Sequence, residues 1–317
     1  MRKQERGVAV ILAILIVTLA VSTAAFALWQ QSLWTRQMEN LTDRSKADAL
    51  AIGAIELARG ILADKDPRTG KGPADYIAET GSQEMSTPAE GASINGNLVD
   101  LQGRFNLNNL ANGLPHQVQQ LAAFKLLLEN LNLDGALAQN VADWIDSDPG
   151  NTTTDLYYLG LDPSRRAAKQ RITDVAELAR VKGFDAQTLA KLAPYITALP
   201  CVGTPNCESA LNVNTATAQV IAAVFGMPAN TAATIVETRK KKAFASKDEF
   251  TVLWAPPTPA AASAVNFDTK SAFFLTTVKV TSGRVQAGYA ALLTTVPGAT
   301  PGATNWPGII WVKEVAT

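Results

Sequence analysis

The sequence is poor in the residues that carry most enzyme chemistry. Among 317 residues it has one histidine, His116, and two cysteines, Cys201 and Cys207. No His/Cys spacing suits zinc, and neither a G-x-S-x-G nucleophile turn nor a Gly-rich phosphate loop occurs. His116 lies in the helix start Leu114-Pro115-His116-Gln117, where a capping or surface role is expected rather than general-base work. The expectation is a protein that is not an enzyme. Net charge is also missing, since 28 basic and 28 acidic residues cancel, which leaves no basic field of the kind that gathers nucleic acid. Five residues rich in turn formers separate the cysteines, which suits a small disulfide-closed loop, with two unpaired buried thiols as the alternative.

Charge is absent from one stretch in particular. Val8 to Leu28 is an unbroken apolar run of 21 residues, and about 20 residues span a bilayer core as a helix. Three readings compete for it. Ala25-Phe26-Ala27 fits the cleavage site of a secretory signal. The run by itself fits a plain signal anchor. The third reading rests on Gly7, which stands between the charged leader Met1-Arg2-Lys3-Gln4-Glu5-Arg6 and the start of the apolar run. A secretory signal ends its apolar region at the cleavage site, whereas here the apolar region begins at the candidate site. This arrangement resembles the type IV prepilin class, in which a dedicated peptidase cuts after the glycine and the new N-terminus is methylated. The resemblance implies cleavage between Gly7 and Val8. The basic leader obeys the positive-inside rule, and Trp29 and Trp34 are placed for the outer interface. A membrane-targeted N-terminus that delivers the head to an oxidising compartment favours the Cys201–Cys207 disulfide.

Helix formers continue to about Ala63, with no proline before Pro67, and Ala47, Leu50, Ala51, Ala54, Leu57, Ala58 and Ile61 recur at helical spacing. One helix over 8–63 is expected, in lipid or a filament core over 8–28 and packed on a globular head at its far end. In most pilins the fifth mature residue is a glutamate; here it is Leu12. An ionisable group in lipid is costly and is retained with a partner or a task. The resemblance implies that the glutamate meets the N-terminal amine of a neighbouring subunit, so a chain with Leu12 needs no neighbour on that side.

Residues 64–91 read as a loop, and Asn95-Gly96 as the turn of a β-hairpin. From Pro115 the texture is leucine-rich and helical: 118–131, 135–145, 175–181, 186–192, 216–225 and 230–240. Beyond Pro256-Pro257-Thr258-Pro259 it turns to strands at 272–281, 284–295 and 309–315, with a hairpin signal at Ser282-Gly283. Strands on both sides of a helical block imply an α+β protein with one antiparallel sheet, packed on the long helix and interrupted by a large inserted all-helical domain. The expected division is 1–7 leader, 8–63 helix, 64–114 first part of the head, 115–257 insert and 258–317 last strands.

That architecture resembles the large K-type minor pseudopilins of bacterial type II secretion, a pilin-like fold. The matching parts are Gly7/Val8, Leu12, Gly103-Arg104-Phe105-Asn106-Leu107-Asn108, Asp143-Trp144-Ile145-Asp146-Ser147-Asp148, Tyr157-Tyr158 and Leu211-Asn212-Val213-Asn214-Thr215-Ala216. The resemblance implies a single-pass inner-membrane subunit with a periplasmic head, at the tip of a pseudopilus with the I- and J-type minor pseudopilins. Its other implied partners are the major pseudopilin, the assembly platform and the prepilin peptidase. Carboxylates at Asp146, Asp148 and Asp155 around a Gly/Asn/Thr loop can supply oxygens to Ca²⁺, and the resemblance places calcium there, although the family's acidic stretch before its tyrosine reads Asn151-Thr152-Thr153-Thr154 here. A rival is a membrane-anchored helix-hairpin-helix DNA-uptake protein. It rests on Asn212-Val213-Asn214-Thr215-Ala216, Phe225-Gly226-Met227-Pro228 and the basic run Arg239-Lys240-Lys241-Lys242. Pro228 removes an N–H that such a turn would present to phosphate, and no nucleic acid is the expectation.

Overall fold

The computed structural model describes residues 2–89, 91–148, 153–202, 207–256, 258, 263–296 and 306–316. α1 (Arg2–Ala63) is a single helix of 62 residues, about 93 Å long at 1.5 Å per residue. Only its last third is covered by the rest of the chain. Ala47, Ala51, Ala54, Ile55, Ala58 and Leu62 are buried at helical spacing, and four of the six are alanine, so the helix backbone can lie close to the sheet.

α2 (Pro73–Thr80) and β1 (Ser82–Ala89) occupy the stretch expected as a loop. α2 begins with proline in its first turn and an Asp75 carboxylate that accepts from the Gly72 N–H. β1 pairs antiparallel with β2 (Ala92–Asp100), and the Asn95-Gly96 pair expected at the turn lies mid-strand in β2. Gly96 serves close approach: a Cβ there would stand 2.9 Å from the Thr277 carbonyl oxygen.

From β2 the chain leaves the sheet for the helical block. Its elements are β3 (Phe105–Asn106), α3 (Gln117–Asn130), α4 (Leu137–Ile145), α5 (Thr153–Leu159), α6 (Ala186–Leu192), β4 (Ile196–Thr197), β5 (Leu211–Asn212), α7 (Ala218–Phe225), α8 (Ala229–Lys241), α9 (Lys247–Trp254) and β6 (Phe267–Asp268). Residues 107–110 and 175–180 are 3₁₀ turns. β3 with β4 and β5 with β6 form two short parallel pairs. The block has its own core, with Phe105 stacked on Phe124 at 5.1 Å and Phe225, Phe250, Trp254 and Phe267 in mutual ring contact.

The chain then re-enters the sheet as β7 (Phe273–Ser282), β8 (Val285–Thr294) and β9 (Gly308–Glu314). The five-stranded order is β1-β2-β7-β8-β9, antiparallel throughout. Leu98, Phe274, Val278, Val280, Ala287, Ala291 and Leu293 form the face that meets α1. β2 and β7 are neighbours, with Asp100 opposite Phe274. The helical block therefore grows out of one end of an otherwise continuous sheet.

Candidate functional site

Three hydroxyls in the first half of α1 are satisfied within the helix. Thr18 Oγ1 donates to the Leu15 carbonyl, Thr23 Oγ1 to those of Leu19 and Ala20, and Ser32 Oγ to that of Trp29. This removes the cost of placing hydroxyls in hydrocarbon. Val8, Leu12, Leu19, Phe26 and Trp34 are all more than half exposed, and the helix is long and apolar enough to cross a membrane. Gly7 and Val8 lie within the continuous helix. Leu12 stands on its bare apolar surface, 53 % exposed.

A collar of charge fastens α1 to the sheet where the head begins. Arg44 pairs with Asp48 and with Glu314 at the end of β9, and the Tyr289 hydroxyl donates to Asp48 Oδ1 at 2.9 Å. At the other end of the packed segment Arg59 Nε donates to the Pro307 carbonyl at 2.9 Å, and its guanidinium lies over Trp306. A Cβ on Gly283, in the β7–β8 turn, would touch the Asp43 carboxylate. The β7–β8 turn thus lies at the end of the head nearest the apolar half of α1. The opposite end of β2 and β7, where the helical block begins and ends, faces away from it.

The root of the block is built from buried amides. Asn212 Nδ2 lies 2.7 Å from the Ala78 carbonyl, 2.9 Å from Asp100 Oδ2 and 2.7 Å from Ser271 Oγ. Thr215 Oγ1 donates to the same Asp100 oxygen, and the Gln102 N–H donates to Asp100 Oδ1 at 2.8 Å. Burial pushes the Asp100 carboxyl up, against these hydrogen bonds, which hold it down. Burial also lowers Arg104, opposed by the charge of Asp100. Gly103 is required by contact, because a Cβ would stand 2.5 Å from Thr215 Oγ1 and 2.7 Å from the Thr215 carbonyl carbon.

Further asparagines of the two motifs, and Asn109 directly after the first, behave as inserted peptide groups. Asn108 accepts from the Ile172 N–H at 2.8 Å and donates to the Ile172 and Leu199 carbonyls. Asn109 exchanges both bonds with Ser209, and Asn214 does the same with Phe244. A side-chain amide has the donor and acceptor of a peptide group and can stand in for a strand neighbour. The two Asn-x-Asn patterns were the sequence signal for this role; Asp100 had none.

Asp146, Asp148 and Asp155 flank a loop whose residues 149–152 lie outside the described ones. Asp146 ends α4, and its Oδ1 accepts from the Asp148 N–H at 3.0 Å and from Asn112 Nδ2 at 3.3 Å. Asp155 Oδ2 is paired with Lys169 Nζ at 3.1 Å, while its Oδ1 is buried and has no hydrogen-bond partner among the described residues. That orphaned oxygen fits a cation, and Lys169 takes the other one. No group of three His, Cys, Asp or Glu that could hold a metal occurs among the described residues. The aromatics on either side are anchors. Trp144 donates to Glu177 at 3.0 Å and meets Tyr158 edge-on at 5.0 Å, and the Tyr158 hydroxyl accepts from the Lys182 N–H at 3.0 Å.

Cys201 and Cys207 are joined, with Cα atoms 5.5 Å apart. His116 precedes α3 but makes no side-chain capping bond; its ring spans Glu208 and Ser263 instead. The basic run is divided. Arg239 turns inward to the Val213 carbonyl, and burial holds its guanidinium down at about 10, while Lys240 pairs with Glu237 and Lys242 with Glu249. Arg239 alone is withdrawn from the run; Lys240, Lys241 and Lys242 stay exposed at the end of α8.

A long helix laid on an antiparallel sheet, bare and apolar for the half that precedes the head, defines a pilin-like subunit, here with a helical block set into the sheet. The structure is similar to a chain of the GspK-GspI-GspJ complex from the type 2 secretion system of enterotoxigenic Escherichia coli. The TM-score is 0.65 at 21 % identity, covering 93 % of this chain and 99 % of that one, a likeness of fold. Family models described as type II secretion system, protein K, match residues 103–201 and 211–270. Type II secretion system protein K of Pseudomonas aeruginosa is 32 % identical over 266 residues, 79 % of this chain and 77 % of the relative. That of Pectobacterium carotovorum is 30 % identical over 265 residues, 78 % and 79 %. The chain belongs to the type II secretion system protein K family, the K-type minor pseudopilins.

Proposed function

We propose that this chain is a non-enzymatic subunit at the tip of a periplasmic pseudopilus, held there with I- and J-type minor pseudopilins and starting or capping assembly. Residues 8–28 anchor it in the inner membrane with the head in the periplasm, after the prepilin peptidase has cut behind Gly7 and methylated Val8. The major pseudopilin and the inner-membrane assembly platform lie below it. The observation that carries this reading is the position of the helical block. It leaves β2 at Asp100 and returns to β7 at Phe273, at the end of the sheet remote from the Asp43 and Arg44 collar, where a subunit stacked above would have to sit. Leu12 agrees with it, since a subunit with none above has no N-terminal amine to neutralise. The GspK-GspI-GspJ complex supports the choice of partners.

The test is to restore the carboxylate. Leu12→Glu should spread the subunit along pseudopili, and a wild-type subunit already distributed along their length would overturn the tip assignment. N-terminal mass spectrometry should find methylated Val8; an intact Met1 or a start at Leu28 would contradict the processing.

The orphaned Asp155 oxygen supports a second element, a calcium ion bound by Asp146, Asp148 and Asp155 with oxygens of the intervening loop. Bound calcium would neutralise these carboxylates and tie the end of α4 to α5. Addition of millimolar Ca²⁺ should raise the melting temperature of the full chain and EGTA should reverse it, since a ligand at 100 times its Kd stabilises by about 2.7 kcal/mol. No shift removes the site.

A further inference from the structure

His116 is the one histidine of the chain, and its ring joins three segments remote in sequence. Nδ1 lies 2.6 Å from Glu208 Oε2 and Nε2 lies 3.0 Å from the Ser263 carbonyl oxygen. The backbone N–H of His116 donates to the other carboxylate oxygen, Glu208 Oε1, at 2.9 Å. The Glu208 side chain is 5 % exposed, so both of its oxygens are committed to this residue. Each segment belongs to the closure of the helical block. His116 leads into α3, Ser263 lies on the way back to β6 and the sheet, and Glu208 directly follows Cys207 of the disulfide.

Both ring partners are hydrogen-bond acceptors, a carboxylate and a carbonyl. A neutral imidazole has one N–H and one lone pair, whereas the imidazolium has two N–H groups. Only the protonated ring can donate to both. In the neutral ring the single proton stays on Nδ1, where the bond to a carboxylate is charge-assisted and the stronger of the two. The Nε2 lone pair is then left facing the Ser263 carbonyl, and that contact becomes repulsive.

We propose that His116 is an acid-strengthened clasp that ties the entry of the helical block to its exit when protonated and releases the Ser263 segment when neutral. The electrostatics agree with the geometry. The Glu208 hydrogen bond raises the His116 pKa above its ordinary value, partial burial opposes the rise, and the Ser263 carbonyl adds to it. Glu208 is the charged group that acts on the ring among the described residues. Among the described residues, Arg171 donates to the Cys207 carbonyl, one residue from Glu208, without acting on the ring; α3 has no charge before Lys125 and α7 has none. With the folded value raised, the stabilisation is complete below the ordinary value of about 6.5 and is lost as pH rises through the folded value.

Because there is one histidine, ¹³C-labelled histidine in the full-length chain in detergent micelles gives one imidazole signal to titrate. The expected midpoint lies above about 6.5, and Glu208→Gln should move it downward. Amide exchange of wild-type peptides covering 263–268, corrected for the intrinsic pH dependence of exchange, should be slower below the midpoint than above it. A wild-type midpoint at or below 6.5, a midpoint that E208Q leaves in place, or equal protection on both sides of it would each overturn the clasp. The two wild-type readings need no variant, so they decide the matter even where E208Q does not fold.

Discussion

At the scale of single residues, the root of the helical block depends on groups that a hydrophobicity plot ranks as surface. Asn108, Asn212 and Asn214 are each no more than 4 % exposed, and each closes backbone groups that no strand reaches. Truncating such a side chain leaves several buried donors and acceptors unpaired, at about 1–3 kcal/mol for each group. Asn212→Ala should therefore lower the denaturation midpoint of the full chain by more than Asn112→Ala, whose side chain is exposed. Gly103→Ala should destabilise by about 1–3 kcal/mol through overpacking, because its new Cβ meets Thr215 backbone, which cannot rotate away. Equal unfolding midpoints for G103A and wild type would show that the loop relaxes freely.

At the scale of elements, α1 does two jobs with two compositions. Residues 8–28 carry no charge and are more than half exposed at Val8, Leu12, Leu19 and Phe26, while its last third presents Ala47, Ala51, Ala54 and Ala58 to β7 and β8. Small residues keep the helix axis near the sheet, so Ala51→Leu should cost about 1–3 kcal/mol by overpacking and lower the melting temperature of the head. β9 ties the head to the block through Lys313, which donates to Asp174, itself the N-cap of the 175–180 turn. Partial burial pushes Asp174 up, but the Lys313 bond and the Ala176 N–H outweigh it and hold the carboxyl below its ordinary value. A depressed carboxylate stabilises above its ordinary value of about 3.9 and loses that contribution as pH falls through the folded value. Both side chains are more than a third exposed, so Lys313→Gln should cost only ~0.2–1 kcal/mol. That difference from wild type should be measurable in urea at pH 7 and should fade in acid.

At the scale of the whole molecule, the head and the block have separate cores joined through the polar root and a small apolar cluster of Leu101, Leu199, Phe273 and Leu292. β2 and β7 are adjacent antiparallel strands, so their ends stand one strand spacing apart, about 5 Å. Replacing 101–272 with an Asn-Gly turn should leave a chain that still shows the far-ultraviolet signature of the sheet and the long helix. Loss of that sheet signal would mean that the block is needed to fold the head.

The amino-acid sequence by itself determined the elements whose signal is local. The apolar run from Val8, the lack of proline before Pro67 and the alanine spacing after Ala47 define α1, because a helix needs only its own backbone bonds and one apolar stripe. The leucine-rich helices of the block were legible for the same reason, and the strands after 272 by their β-branched and aromatic residues and the Ser282-Gly283 turn. α9 was not among the expected helices, although Ser246 with Glu249 three residues on marks its start: Ser246 Oγ accepts from the Glu249 N–H, and the Glu249 carboxylate accepts from the Ala245 N–H, one residue before the cap. β1 has no such mark: Ser82–Ala89 is polar, and it is a strand only because β2 offers it a ladder. The Asn95-Gly96 pair misleads for the same reason, since the glycine answers to Thr277 across the sheet. What tertiary structure alone decided lies in contacts between distant segments: Asp100 with Asn212 and Thr215, Asp174 with Lys313, and His116 with Glu208 and Ser263. Burial and pairing across a hundred residues set the charge and partners of these groups, and neither leaves a periodic trace along the chain. The long helix is legible along the chain, whereas the place where the block leaves the sheet is set only by the pairing of β2 with β7.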